Sequence, residues 1–244
     1  MDQNVHLFLS RSIETYIPYL FVDASHFKIR DGVRYVNKAL LVIAGIRSDG
    51  FREILGARIA DSEDESTWED IFSDLKERGL VKVDLVISDG HKGIQVDAER
   101  SFLGSSLKMC TVHFIRVHKE IAQLLRESLT DPPGLQECAD ELEIRGFSRA
   151  ADTMERFIPG LVNYRIAPQE HWRRIRTTNM LERLNKELKR RSRAIGAFSN
   201  DASLLHLAGT ILMDINEEWI TGQRYLSGSE VIVCQDTRAE FTAL

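Results

Sequence analysis

Three β-patterned segments joined by two tight-turn signals, then a switch to alternating helix and strand, constrain this chain most. Tyr19 to Ile29 mixes apolar, β-branched and aromatic residues as a strand does. Asp31-Gly32 is a turn signal, and Tyr35 to Ile46 reads as a second strand, apolar enough to be buried. Ser48-Asp49-Gly50 marks another hairpin before a third strand from Phe51 to Ala60. Strands joined by such short turns form an antiparallel meander.

The period then changes. Ser66 or Thr67 can cap a helix, with Glu69 or Asp70 supporting its first turn. Trp68, Ile71, Phe72 and Leu75 recur at helical spacing, and Gly79 is a stop signal. Val83 to Ser88 is a short apolar strand ending at Asp89-Gly90, followed by a helix over Lys92 to Phe102, a strand at Leu107 to Met109 and a helix over Val112 to Glu127. A strand reached across a helix is usually parallel to its neighbour, by a right-handed crossover. The expected fold class is therefore α/β, a ribonuclease-H-like mixed five-stranded sheet flanked by helices.

Asp131-Pro132-Pro133-Gly134 breaks the pattern, and residues 135–158 are again helical, with Leu135, Leu142, Ala150, Met154 and Phe157 as apolar positions. This is expected to be a helical insertion before the final core helices. Helices follow over Thr178 to Ala194 and Asp201 to Trp219, and periodicity fades after Gly222. The expected organisation is a first core part over 1–120, an insertion over 121–172, the final core helices over 173–221 and a loosely attached tail over 222–244.

Composition excludes some classes. With 43% hydrophobic and 28% charged residues the chain can bury a real core. Its best apolar run, Ala39 to Gly45, falls well short of the roughly 18 residues that span a membrane. Met-Asp-Gln-Asn-Val-His lacks the basic-then-apolar pattern of a secretory signal, and Cys110, Cys138 and Cys234 are too scattered for a disulfide framework. A cytoplasmic protein is expected. The net charge of −5 argues against nucleic acid, but its distribution argues the other way. Arg173, Arg174, Arg176, Arg183, Lys186, Lys189, Arg190, Arg191 and Arg193 crowd one stretch against only Glu182 and Glu187. Such a stretch is either a polyphosphate contact or a solvated helix face.

Asp23 sits inside the first strand, in Leu-Phe-Val-Asp-Ala, where desolvating a carboxylate is costly unless something pairs with it. Asp89 stands at the carboxyl end of its strand, where ligand sites collect in α/β sheets. If the two strands are neighbours, these carboxylates can share divalent cations of the kind used for phosphodiester chemistry. Taken singly, Asp23 also reads as a loop acceptor and Asp89-Gly90 as a turn. Glu182 is the third candidate. On its helix Leu181, Leu184 and Leu188 form the apolar stripe, and Glu182 falls away from it among Lys186, Lys189 and Arg193. Helical spacing leaves open whether it reaches a metal or merely pairs with Lys186.

The chain resembles the Mutator-type insertion-sequence transposases (the insertion sequence 256 family). The residues that carry the likeness are Tyr-Leu-Phe-Val-Asp-Ala around Asp23, Leu-Val-Ile-Ser-Asp-Gly-His-Lys-Gly around Asp89, Cys110-Thr-Val-His113, and Thr177-Thr-Asn179-Met-Leu-Glu182-Arg-Leu-Asn185-Lys-Glu-Leu-Lys-Arg-Arg191. The likeness runs from about residue 18 to Tyr225. It implies a DDE triad of Asp23, Asp89 and Glu182 holding two Mg²⁺ or Mn²⁺ ions, and prefers Glu182 over Glu187 because the family's glutamate follows Thr-Thr-Asn by three residues. It also implies DNA as partner, with Asn179, His113 and the basic stretch as contacts and a homodimer assembled on DNA. The implied reactions are nicking at transposon ends and 3′-hydroxyl strand transfer.

Cys110 and His113 are two ligands short of a zinc site, Cys138 and His91 being isolated, so a local structural role is expected. Trp68 and Trp219 are expected in the core, and Trp172 either packs or stacks on a base. Only 22 residues precede Asp23, fewer than the helical DNA-binding region usual in the family. Two alternatives follow: a truncated, inactive DNA- or partner-binding remnant, or another ribonuclease-H-like nuclease.

Overall fold

The meander forms where the turn signals place it. β1 (Tyr19–Asp31), β2 (Arg34–Ile46) and β3 (Arg52–Ala60) pair antiparallel in sequence order. β4 (Leu85–Ser88) and β5 (Ser106–Met109) then add in parallel beyond β1, giving a mixed five-stranded sheet of order β3-β2-β1-β4-β5. The computed structural model describes residues 3–61, 65–89, 92–117 and 132–226.

Alternation along the strands divides the core in two. Leu20, Val22, Leu41, Ile43, Leu55 and Val86 face α2 (Glu65–Glu77) and α3 (Lys92–Ser101), which supply Trp68, Phe72 and Ile94, with Phe102 following α3 directly. Tyr19, Phe21, Leu40, Val42, Leu85 and Ile87 face the opposite layer, where α8 (Asn179–Ser192) and α9 (Asp201–Thr221) contribute Leu181, Leu184, Leu188, Leu204, Ile211 and Trp219. β2 is buried only from Ala39 to Ile46; its first residues are largely exposed, so the second strand is less enclosed than its apolar pattern predicts. α9 starts at a capping box in which Asn200 accepts from the Ser203 amide at 2.8 Å.

The helix expected over Val112 to Glu127 is described as α4 (Thr111–Val117); positions 118–127 lie outside the described residues. The helical stretch expected over 135–158 is two helices, α5 (Pro132–Ile144) and α6 (Ser148–Val162). Pro132 and Pro133, a break by pattern, instead open α5, where the first turn needs no N–H partner. The pair shares an apolar cluster with Met109 and Phe114, which seats it at the β5 edge of the sheet. Two 3₁₀ turns, Asn163–Ile166 and Gln169–His171, and the one-turn α7 (Trp172–Ile175) lead back to α8.

A short helix, α1 (Gln3–Leu9), was not legible in the sequence. Its Val5 is buried against Gly209 of α9, where an added Cβ would lie 2.2 Å from Val5 Cγ1. Beyond Gly222 the chain does not leave the surface at once. The Tyr225 and Leu226 amides donate to the Gly50 carbonyl at 2.9 and 3.1 Å, and Leu226 is buried; positions 227–244 lie outside the described residues. Among the described residues no helix is long and apolar enough to cross a membrane.

Candidate active site

Strand register brings the two aspartates together. β1 and β4 pair in parallel as Tyr19 with Leu85, Leu20 with Val86 and Phe21 with Ile87. Continued by two residues, that register sets Asp89 beside Asp23. Both then share the parity of Tyr19, Phe21, Leu85 and Ile87, the side of the sheet covered by α8 and α9. Pairing of β1 with β4 stops at Phe21 and Ile87, so the aspartates stand where the two parallel strands begin to part, at the carboxyl end of β4 and within the longer β1.

α8 supplies the rest. Leu181, Leu184 and Leu188 anchor it on the core, and Asn185 points down at β1, donating Nδ2–H to Asp23 Oδ2 at 2.9 Å. The Asn185 Oδ1 is buried and accepts no hydrogen bond. Glu182 lies three residues, just under one turn, earlier on the same flank. Its Oε1 is 3.3 Å from Arg116 Nη2 of α4, in a contact with both side chains partly exposed. Helical spacing alone did not decide between a solvent-facing and a sheet-facing glutamate; the docking of Asn185 on Asp23 sets that flank toward the sheet.

Burial pushes the Asp23 carboxyl up from its ordinary 3.8 to about 6, and the negative charge of Asp89 adds to the effect. The Ala24 amide at 2.9 Å and the Asn185 amide oppose it, while Glu182 raises it further. Both other carboxylates thus bear on Asp23, whose hydrogen bonds among the described residues come from the neutral Ala24 and Asn185 donors. Among the described residues no three His, Cys, Asp or Glu side chains already close around one point.

The basic stretch divides into three. Arg190 and Arg191 fold back on Glu187 at 2.6 and 2.8 Å, and Arg191 reaches Asp214 at 3.4 Å. Lys186, Lys189 and Arg193 are exposed. Arg173, Arg174, Arg183 and Asn179 line a cavity beside α8. The backbone carbonyl of Arg176 accepts from the Thr111 hydroxyl at 3.1 Å, tying α4 to the chain entering α8.

Cys110 is buried and its Sγ accepts from the Thr178 amide at 3.3 Å, a structural role; His113 is partly buried on α4. Trp172 packs edge-on against Tyr164 and donates Nε1–H to the Ala167 carbonyl at 2.8 Å, so packing accounts for it. Trp68 and Trp219 are buried as expected. His91 and His118 lie outside the described residues.

Sequence reasoning missed Asn185 and Arg52 as site residues. Asn185 carried a signal, since its one-turn spacing from Glu182 on the flank away from the leucine stripe marks a polar side chain aimed wherever Glu182 is aimed. Arg52, on β3, carried none, because only the tertiary fold brings it to α8.

Comparison with known proteins bears on this geometry. The family model described as "Transposase, Mutator family" matches residues 1–130 and 134–222. A transposase for insertion sequence element IS256 in transposon Tn4001 of Staphylococcus aureus is 35% identical over 223 residues, which cover 85% of this chain and 57% of that protein. A transposase for element ISRM5 of Rhizobium meliloti is 31% identical over 242 residues, covering 93% and 61%. One for IS1081 of Mycobacterium tuberculosis is 30% identical over 253 residues, covering 95% and 59%. The chain therefore spans about three fifths of the length of the curated relatives it matches. The Drosophila P element transposase strand transfer complex superposes only loosely, with a TM-score of 0.33 at 13% identity over 99% of this chain and 74% of that one. With the family model matching nearly all of its residues up to 222, the chain belongs to the Mutator family of transposases.

Proposed function

We propose that this chain is the catalytic region of a DDE-type DNA transposase on a ribonuclease-H-like sheet, with Asp23, Asp89 and Glu182 as the triad. The observation that carries the reading is the convergence on Asp23: Asp89 in register beside it, and α8 laid across it through Asn185 with Glu182 on the same flank. The proposed organisation is a core over 1–120 and 173–221, with the helices within 121–172 inserted at its edge.

The donor set fits Mg²⁺ or Mn²⁺. It consists of hard oxygen ligands, including a carboxylate raised by burial and then by like charges, and a buried Asn185 Oδ1 without a hydrogen-bond partner. Asp23, Asp89 and Glu182 would hold the ions, with Glu182 released from Arg116. Bound divalent ions supply activation of the attacking oxygen and charge stabilisation on the leaving oxygen of a phosphodiester. The chain's own part is positioning. Asn185 fixes the Asp23 carboxylate, the sheet sets the spacing of Asp89, and exposed Lys186 and Lys189 on α8, with Arg193 just past its end, are placed to meet DNA phosphates. His113 on α4 is a further proposed DNA contact, and a homodimer on DNA is the proposed assembly.

The test is incubation of the full chain with supercoiled plasmid carrying insertion-sequence ends, with Mn²⁺ or Mg²⁺. Nicking, followed by joining of 3′ ends to target DNA, is expected. Asp23→Asn should lose both while keeping duplex affinity. Cutting without joining would favour a ribonuclease-H-like nuclease, and duplex binding unaffected by Asp23→Asn with no cutting would favour an inactive DNA-binding remnant.

A further inference from the structure

Beside α8, on the side of the helix away from Glu182 and Asn185, lies a cavity of about 360 Å³ lined by Arg52, Arg173, Arg174, Arg183, Trp219 and Tyr225 among others. Its arginines come from separate elements: Arg52 from β3, Arg173 and Arg174 from α7, Arg183 from α8. Aromatic rings hold two of them. The Arg52 guanidinium lies 4.6 Å from the centroid of Trp219 and 4.9 Å from that of Tyr225, and Arg174 lies 4.8 Å from Tyr225. Stacking fixes the plane of a guanidinium while leaving its N–H edge to donate. The Arg52 Nε is buried and has no hydrogen-bond partner.

The acidic residues around this cavity do not balance it. Glu187 is engaged by Arg190 and Arg191, whose hydrogen bonds hold its carboxyl well below the usual range, at about 2. That leaves Glu218 against four guanidiniums. Burial lowers the Arg52 pKa; Tyr225 and Glu218 oppose that, and Arg174 and Arg183 add to it. A concave site with forked donors held in plane and an excess of positive charge is complementary to a tetrahedral oxyanion.

We infer that this cavity binds a backbone phosphate of the DNA on which the chain acts; the inference rests on the transposase reading above. Placement argues for a strand phosphate over a free one. Exposed Lys186 lies between Glu182 and Arg183 around the axis of α8, so the basic outer face of the helix links the carboxylate side to the cavity side. A strand held over Asp23 and Glu182 reaches the cavity by crossing that face. The cavity is a fixed anchor that sets the path of the strand, in contrast to the freely solvated Lys186 and Lys189.

The test is fluorescence anisotropy of a labelled duplex with the full chain, across 50 to 200 mM salt as a range suited to such slopes. Arg52→Gln and the double variant Arg174→Gln/Arg183→Gln should each weaken binding about fivefold to tenfold and reduce the steepness of log K against log salt by about 1. Arg34→Gln, on the exposed β1–β2 hairpin, should change neither. Arg52 packs on two rings, so circular dichroism melting accompanies its variant; the double variant changes exposed residues and keeps the test valid if Arg52→Gln unfolds. Variants that bind with the parent's affinity and slope, beside a parent that binds and nicks DNA, overturn the cavity assignment alone. A parent that binds no duplex at any salt overturns the transposase reading itself. Phosphorus NMR with inorganic phosphate separates the sources: phosphate bound by the parent and lost in the double variant, with duplex binding untouched, assigns the site to free phosphate and overturns the DNA proposal.

Discussion

Asp23→Asn should make the protein more stable while abolishing its chemistry. The Asp23 carboxyl is raised from 3.8 to about 6, first by burial and then by Asp89. An acid whose pKa is higher folded than unfolded is destabilising when ionised. The penalty is absent below the unfolded value and complete above the folded one. Linkage over that interval, at about 1.36 kcal/mol per unit, gives about 1–2 kcal/mol at pH 5 and about 3 kcal/mol by pH 8. The replacing amide keeps one oxygen for the Ala24 donor and presents Nδ2–H to Asn185, whose amide can turn to accept through its unpartnered Oδ1, so hydrogen bonding is largely retained. Urea unfolding of parent and variant at intervals between pH 5 and 8, without divalent ions, should therefore show a gap in favour of the variant that widens with pH. At pH 8 a gain of this size corresponds to a melting shift of about 5–10 °C for a chain of this length. Mn²⁺ should then raise the parent's stability by mass action and leave the variant's nearly unchanged. A variant less stable than the parent at pH 8, or a gap that stays constant with pH, would refute the argument that Asp23 is held ionised against its surroundings.

Two further outcomes follow. Asn185→Ala removes one of the donors that hold the Asp23 carboxyl down, so the acid limb of the Mn²⁺-dependent nicking rate should move to higher pH; a profile displaced only in height would deny Asn185 this role. Gly209→Ala places a Cβ against Val5, and displacing α1 should cost about 1–3 kcal/mol in urea unfolding, with Val5→Ala in the same chain recovering most of it; equal losses in the single and double variants would mean the contact is not the cause.

Much of this arrangement was legible before any coordinates. Asp31-Gly32 and Ser48-Asp49-Gly50 fixed the meander because turns of that chemistry leave the flanking strands one way to pair. The alternation of β1 put Asp23 on the same face as Tyr19 and Phe21, and the end of the Leu85–Ser88 run put Asp89 in the adjacent strand. What failed to show was of two kinds. α1 is too short for a 3.6-residue period to emerge, and its burial depends on a glycine two hundred residues away. Pro132 and Pro133 carry the same local signal whether they end one helix or begin the next, and only the helix that follows decides. Glu182 lay between these cases: spacing marked it as off the leucine stripe, yet the direction of its flank became fixed only by the docking of Asn185.

That docking has a consequence for how the chain reaches its working form. The hydrogen bond from Asn185 to Asp23 joins residues 162 positions apart. The β1–β2 hairpin and its neighbour β3 are local and can form while the chain is still being made, but they leave Asp23 without its α8 donor until the final third of the sequence arrives. Contacts of such long range are slow to close and come late in folding. A partly synthesised or C-terminally clipped chain therefore carries the sheet and both aspartates without the helix that completes the proposed site, and the three carboxylates are brought together only on a fully folded molecule.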